Sequence, residues 1–318
     1  MEISKLNHQQ WLERYNTPTS YLFNSPDFVS IIANTHQKSL LWYVVLDNNE
    51  LLFSVPIYFN NRNAELVTHF FYQAILINTQ FSDQQFSAAW DALVLQLKTD
   101  FDEIDFKFAP YVENVSEFLK AGFEAEIRKT SVVDLQKFPN YSENIVRSIK
   151  KANKFALNVN VQEFNEDIID EHAVDMMKYG LARKHANYFK IWFRECFQNS
   201  STKIFELQEG NIRIGSSLYL MDNTSAYLIA TMGGKSESGG QAYLYDQAFR
   251  YFKEKGLIEV DLLGANIPNI ALYKSKLGGE LRTYQILRYR KHKLRSKIIA
   301  NSKEFAKKML KSFRIINK

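Results

Sequence analysis

The stretch VDLLGANIPNIALYKSKLGGEL, residues 260–281, carries the signals that decide the fold. Its apolar run ends at Gly264 and is typical of a buried strand. An Asn-containing turn follows, then a short segment with Tyr273 and two lysines, and the pair Gly278-Gly279 marks a helix end. The stretch therefore predicts a strand, a turn and a helix, with polar groups at the strand end.

This stretch is the second copy of an internal repeat. FDEIDFKFAP (101–110) is similar to GLIEVDLLGA (256–265). Asp105 and Gly122 in the first half precede Asp261 and Gly278 in the second by 156 positions each. Self-similarity at a constant spacing indicates that one structural unit occurs twice.

The elements before the stretch recur in the same order in both halves. Each half begins with a pair of β-rich runs around a polar turn, which is typical of a hairpin. A further strand candidate and an amphipathic helix follow in each half. The paired segments are 41–59 and 202–220 for the hairpins, 66–77 and 225–232 for the strands, and 84–98 and 241–255 for the helices.

The repeat predicts an α/β (α+β) fold, in which two copies each form a mixed central sheet flanked by helices. We expect one domain at 1–134, a second at 135–290 and a C-terminal basic amphipathic helix at 291–318. A chain of 318 residues with 46% hydrophobic content has the size for two such domains.

Composition excludes several classes of protein. The single cysteine, Cys196, rules out an internal disulfide and fits a reducing cytoplasm. The six histidines are not paired at metal-ligand spacing, so we expect no metal site. No apolar run reaches the roughly 18 residues of a membrane helix, and the polar N-terminus is not a secretory signal. The expected location is therefore cytoplasmic.

The C-terminal segment differs in charge from the rest of the chain. Residues 288–318 contain twelve Lys and Arg and a single acid, Glu304, whereas the other residues carry a net negative charge. Apolar residues recur at helical spacing over 294–316, which predicts a basic amphipathic helix. Three partners fit it: the anionic inner face of a membrane, to which the protein would be peripheral, a tRNA, or the body of the protein itself.

Three stretches resemble a known superfamily. They are NIVRSIKKANKFALNV (144–159), the glycine pair that leads through a helix into an Asp-bearing strand (236–264), and the opening stretch with Asn266, Tyr273 and Gly278. Together they resemble the GNAT acyltransferases, and the doubled arrangement is similar to the Fem-type peptidyltransferases and other tandem-GNAT proteins. The resemblance implies an acyl donor such as acyl-CoA or acyl carrier protein. One departure is that only Gly239-Gly240 remains of the usual acyl-CoA loop.

The resemblance and the strand-end position together nominate catalytic residues. The Tyr273 phenol has the chemistry to protonate a leaving thiolate. Lys274 would stabilise an oxyanion as a compact charge, and Asp261 would act as a base or orient the amine. Phe118, 155 positions before Tyr273, is expected at the equivalent place in the first copy, which would then lack this proton donor.

The donor is expected to bind the second copy. A glycine pair at a helix N-terminus lets backbone N–H groups approach phosphate closely. The first copy has Asp83-Gln84 at the corresponding place, where an acid would repel an anion. The residues assigned to the donor are Met232, Gly239, Gly240, Gln241 and Asn266.

Two further segments are assigned to substrate. Arg147, Lys150 and Lys151 form a basic helix face that would hold phosphates, although a solvated face explains them as well. The segment 181–197 has no counterpart in the repeat as predicted, so Arg183 and Tyr188 would line an acceptor pocket, while Phe189, Trp192 and Phe193 pack in the core.

The predicted function is N-acyl transfer from a thioester to an amine of a cell-envelope, amino-sugar or amino-acid acceptor. Two alternatives stay open: Fem-type transfer from an aminoacyl-tRNA, and a tandem fold without catalytic activity that only binds its ligands.

Overall fold

Both halves of the chain fold into the same succession of elements and join in one sheet. The computed structural model describes residues 1–15, 21–67, 72–73, 75–77, 82–112, 114–199, 201–233 and 239–292. The predicted tail helix over 294–316 lies outside these residues.

The first half runs from a short edge strand to a long strand in the middle of the sheet. The Ser82 side chain and Gln85 form a capping box that starts its longest helix. Its elements are β1 (Glu2–Leu6), α1 (His8–Tyr15), α2 (Pro26–Thr35), β2 (Ser39–Asp47), β3 (Glu50–Asn60), β4 (Asn63–Ala64), β5 (Leu76–Ile77), α3 (Asp83–Asp100), β6 (Glu103–Lys107), α4 (Ser116–Lys120) and β7 (Glu124–Asp134).

The second half repeats this order after a linking helix, α5 (Glu143–Ala152). The Asn165 side chain caps its first repeated helix by accepting from the Ile168 N–H. Its elements are β8 (Leu157–Gln162), α6 (Glu166–Lys178), α7 (Arg183–Gln198), β9 (Thr202–Glu209), β10 (Ile212–Met221), β11 (Ser225–Met232), α8 (Gly240–Glu254), β12 (Glu259–Asp261), α9 (Pro268–Lys276) and β13 (Gly279–Arg290).

The element order corrects one prediction. The helix α7 was expected to be extra material, but α6 and α7 occupy the places that α1 and α2 hold in the first half. The helices α2 and α7 pack against each other. Sequence comparison missed this relationship because buried helices share little more than their apolar faces, whereas the hairpins keep their turns.

The strands form one sheet in the order β1-β2-β3-β4-β6-β13-β7-β12-β11-β10-β9-β8, with β5 beside β3. The halves exchange their last strands: β7 lies between β12 and β13, and β13 lies between β6 and β7. The mixed sheet that the repeat predicted is confirmed, and it runs without interruption from one half into the other. The division at residues 134 and 135 stays a prediction.

The register of the central strands shows that the halves are related by a pseudo-two-fold axis. Glu103 pairs with Arg290 in the first half, and Glu259 pairs with Asp134 in the second. Moving either member of the first pair by 156 positions reproduces the second pair. The spacing read from the sequence is therefore the spacing of the structural repeat.

Three apolar clusters hold the sheet and helices together. One lies between the first-half strands and α3 and α4, and a second between the second-half strands and α8. The third lies on the opposite face, where both halves contribute, and it contains Trp11, Phe28, Phe189, Trp192 and Phe193. The last three residues are core, as the sequence predicted.

Candidate functional site

A cleft opens where two parallel strands of the second half separate. The strands β11 and β12 are paired only from Ser225 and Glu259 to Tyr227 and Asp261. Beyond that point β12 ends, while β11 continues to Met232. The separation of the strands leaves a cavity of about 500 Å³. Its lining residues are Leu228, Ile229, Ala230, Thr231, Gln241, Tyr245, Leu262, Leu263, Gly264, Asn269, Ile270, Tyr273 and Lys274.

Backbone geometry on both strands opens the cleft. On β11, Leu218 pairs with Ala230 and Tyr219 pairs with Leu228, so Ile229 is the extra residue of a β-bulge. On the other side, Leu263 has a φ of 54° and Gly264 a φ of 22°, which ends β12 earlier than the predicted strand to residue 265. Since a leucine rarely occupies the left-handed region, other contacts must hold this conformation.

Lys274 holds the end of β12. Its ammonium donates to the backbone carbonyls of Leu262, Leu263 and Gly264, at 2.7, 2.6 and 2.9 Å. Burial lowers the pKa of Lys274 to about 8, and the neighbouring Asp261 opposes this shift. An ammonium has three N–H donors, and the three carbonyls engage all of them. This geometry leaves no donor for the predicted oxyanion role, and the three bonds hold the strand end that borders the cleft.

Asp261 lies behind the cleft and does not line it. The side chain is 3% exposed. Its carboxylate accepts hydrogen bonds from the Tyr72 hydroxyl at 2.7 Å, the Leu263 N–H at 2.8 Å and the Thr130 hydroxyl. Burial raises the pKa of Asp261, although these donors oppose the shift. A buried and fully engaged carboxylate is not placed to take a proton from a substrate, which corrects the prediction of a base.

Tyr273 lies between the cleft and a smaller cavity of about 180 Å³. The ring is half-buried and lies 6.2 Å from the ring of Tyr245, measured between centroids. Burial raises the pKa of Tyr273, and Tyr245 adds to the shift. The phenol therefore keeps its proton at neutral pH, as a proton donor requires. Gln241 lines the same two cavities and donates to the Thr231 hydroxyl at 3.0 Å.

The predicted glycine pair lies at the start of α8 against the linking helix. Gly239 has a φ of 72°, and a Cβ at this position would overlap the carbonyl oxygen of Ser148 in α5. Only glycine allows both the conformation and the close approach. Gly239, Gly240 and Ser148 line the 180 Å³ cavity together with Tyr273. The exposed Arg147, Lys150 and Lys151 extend from the same helix α5.

A second large cavity, which no sequence pattern predicted, lies on the other side of β11. It has a volume of about 470 Å³ and shares Ile229, Ala230 and Thr231 with the cleft. Its remaining lining comes from the end of α6 and the loop after it, through His172, Asp175, Met176, Tyr179, Gly180 and Leu181. These residues lie on an ordinary amphipathic helix, so no local pattern marks them.

His172 forms the polar floor of this second cavity. Its Nε2 lies 2.9 Å from the Ser216 hydroxyl. Burial lowers the pKa of His172 to about 4, and the charge of Arg213 contributes. The imidazole is therefore neutral at physiological pH.

The other predicted residues line none of these three cavities. The Asn266 side chain accepts from the Lys129 N–H at 2.8 Å, and Met232 follows the lining stretch of β11. Arg183 is exposed at the start of α7, and the buried Tyr188 packs on the ring of His36 at 4.7 Å. That Arg183 and Tyr188 line an acceptor pocket stays a prediction; Tyr188 lies on the face of α7 that packs against α2.

Among the described residues of the first half, aromatic rings fill the space that is equivalent to the cleft. At the repeat spacing of 156 positions, Phe106, Phe108 and Phe118 are equivalent to Leu262, Gly264 and Lys274. The three phenylalanines pack with centroid distances of 5.3 to 5.9 Å. The same spacing corrects the predicted equivalence of Phe118 and Tyr273, because Glu117 is the residue equivalent to Tyr273. Gly264 and Lys274 thus leave a space open in the second copy that Phe108 and Phe118 fill in the first.

Among the residues that the structure describes, no group of three His, Cys, Asp or Glu side chains is arranged to hold a metal ion. Over the same ranges, no helix has the length and apolar character needed to cross a bilayer.

Comparison with solved structures shows the tandem-GNAT, Fem-like fold. FemX superposes with a TM-score of 0.63 at 11% identity, over 90% of this chain and 97% of FemX. A tandem GNAT protein from the clavulanic acid biosynthesis pathway gives 0.54 at 12% identity, over 90% and 97%. L-PGS from Bacillus licheniformis gives 0.52 at 10% identity, over 89% and 91%. No family model and no curated protein sequence matches the chain. At these identities the similarity establishes the fold.

Proposed function

We propose that the protein is a transferase that moves an acyl group from a thioester, on coenzyme A or an acyl carrier protein, to an amine. The observation that carries this proposal is the cleft between β11 and β12, which is open in the second half and filled by rings in the first. The transferase class fits the shared fold, while the donor and acceptor are inferred from the residues of this chain.

The cleft has the form that an extended thioester arm requires. From Leu228 onward, the edge of β11 that faces β12 has lost its partner strand. The amides of a pantetheine arm could pair with this edge as an added strand does. The apolar lining from Leu228, Leu262 and Ile270 would take the acyl chain or the methylene groups of the arm.

The reaction exchanges one bond for another. The amine nitrogen attacks the carbonyl carbon and the new C–N bond replaces the C–S bond. The sulfur leaves with a proton, and the nitrogen gives up one proton, which replaces it. Tyr273 is the side chain we assign to donate to the leaving atom, since it lines the cleft and keeps its phenolic proton. Lys274 and Asp261 hold the strand end that shapes the cleft and are positioning residues.

A second donor class is supported by the basic surface beside the cleft. The exposed Arg147, Lys150 and Lys151 lie on α5, which packs on Gly239 at the start of α8. An aminoacyl-tRNA would present phosphates to such a surface and an ester to the cleft. The basic segment 291–318, of which residues from 293 lie outside the described structure, would add to RNA binding or hold the protein at an anionic membrane.

The test is a donor screen followed by two matched variants. Thermal shift with acetyl-CoA, longer acyl-CoAs, acylated carrier protein and aminoacyl-tRNA identifies the donor, and transfer to a panel of amines measures turnover. Tyr273→Phe should lower kcat at least tenfold with unchanged donor affinity. Tyr243→Phe, on α8 outside the three cavities, is the control. Failure of every donor to bind or react would leave the catalytically inactive binding protein as the better description.

A further inference from the structure

The 470 Å³ cavity on the α6 side of β11 meets the donor cleft at three residues. Ile229, Ala230 and Thr231 line both spaces, and Ile229 is the bulged residue of the strand. A molecule in this cavity would therefore approach a donor in the cleft across the bulge. The rest of the lining comes from α6 and the loop Tyr179–Leu181, which are outside the donor cleft.

Asp175 gives the cavity its charge. Among the residues that line the two large cavities, the charged side chains are Lys274 and Asp175. The three carbonyl contacts engage the Lys274 ammonium, and the His172 imidazole is neutral. The ion-pair partner of Asp175 is Lys178, 3.9 Å away, whose side chain is 71% exposed. Such a distant and solvated pair neutralises little charge.

The position of Asp175 is unfavourable for the helix that carries it. Asp175 lies in the last turn of α6, which ends at Lys178. The helix dipole places partial negative charge at this end, so a carboxylate there lowers helix stability. Helix stability therefore does not explain the acid. For a bound cation, however, the carboxylate and the dipole act in the same direction.

The other walls define what would surround the cation. Met176, Leu181 and Ile229 are apolar, and the His172 imidazole adds one neutral polar group. Tyr179, at 87% exposure, lies at the rim. No cation among the lining residues is free to hold a phosphate or carboxylate group.

We infer that this cavity is the acceptor site and that it takes a primary alkylammonium on an apolar or uncharged body, of which the lysine side chain is the model, with the ammonium held by Asp175. The identity of the cavity as an acceptor site rests on the proposed transferase function, whereas ammonium binding does not. For attack, the ammonium gives one proton to Asp175 and from there to water, and its nitrogen becomes the nucleophile described above.

Binding of amines without any donor tests the inference separately from catalysis. The probes are 1,5-diaminopentane and the tripeptide acetyl-Ala-Lys-Ala-amide, each compared with its N-acetylated form, by saturation-transfer NMR on the full chain. We expect the free amines to bind and the acetylated forms to bind at least tenfold more weakly. Binding of the diamine alone would indicate a small-molecule acceptor, and binding of the tripeptide a lysine in a peptide.

Two variants give the decisive comparison. Asp175→Asn should weaken amine binding at least tenfold while its Tm stays equal or rises, because the unfavourable charge at the helix end is gone. Asp167→Asn, which removes an exposed acid from the other end of α6, should bind as the wild type does. Equal binding by Asp175→Asn, equal binding of free and acetylated probes, or no binding of any amine overturns the inference. Amine binding without transfer from any donor would retain it and refute the proposed function.

Discussion

Arg128 and Tyr284 face each other across β7 and β13, and this pair lies on the pseudo-two-fold axis of the molecule. The two residues are 156 positions apart, which is the spacing of the repeat, so the symmetry operation exchanges one for the other. Because β7 and β13 are the exchanged strands, each half completes its sheet with a strand of the other. The shape of the second-half cleft therefore depends on residues from both halves.

Asp261 and Asp105 are equivalent in the repeat and differ in burial, which gives a matched test. Asp261→Asn removes an acceptor for the Tyr72, Thr130 or Leu263 donors in a buried site and should lower the free energy of unfolding by about 2–3 kcal/mol. Asp105→Asn weakens a partly exposed pair with Arg290 and should lower it by less than about 1 kcal/mol. Urea unfolding of both variants checks the order, which equal losses would refute.

Lys274→Met should destabilise the protein and abolish donor binding together. The substitution leaves the carbonyls of Leu262, Leu263 and Gly264 without their donor, at a cost of about 2–4 kcal/mol. Lys276→Met on the same helix is the control and should stay within about 0.5 kcal/mol of the wild type. Unfolding curves and donor titration measure both effects. A variant with wild-type stability and donor affinity but no turnover would instead support the oxyanion role.

Comparing Gly239→Ala with Gly210→Ala should separate the stability lost through close packing from the stability lost through backbone conformation. Gly239 and Gly210 both have positive φ, but a Cβ on Gly210 meets nothing within 4 Å, whereas one on Gly239 overlaps α5. Gly210→Ala should lose about 1 kcal/mol from conformation alone. Gly239→Ala should lose at least twice that and weaken donor binding, because α5 has to move. Similar losses of stability in the two variants would show that α5 shifts away from the added Cβ at little cost.

The lowered pKa of His172 predicts how the stability of the protein depends on pH. Its folded pKa of about 4 lies below its ordinary 6.5, so between these values the unfolded chain binds a proton that the folded chain does not. The free energy of unfolding should therefore fall as the pH drops from 6.5 to 4, by up to about 3 kcal/mol from this group. His172→Gln should lack this part of the decline. Urea unfolding at pH 7, 5.5 and 4.5 compares the two proteins, and parallel pH profiles would contradict the assignment.

Much of the fold was accessible from local patterns. The polar turns of the two hairpins, the apolar stripes of α3 and α8 and the glycines after α4 and α9 all act within a few residues, so they are visible along the chain. The repeat of 156 residues followed from them. The helix α7 was misjudged because its relationship to α2 lies in the order and packing of elements, with little shared sequence.

The sequence by itself determined the duplicated mixed fold and the copy in which to look for chemistry, since periodicity and turn residues are local properties. It also predicted that Tyr273 lies on a short helix directly after a strand. Only the tertiary structure decided what the polar groups do. Contacts between residues distant in sequence decide which groups Lys274 and Asp261 bond to and where α6 meets β11. The exchange of β7 and β13 is also a tertiary property, because no single segment encodes which strand is its partner.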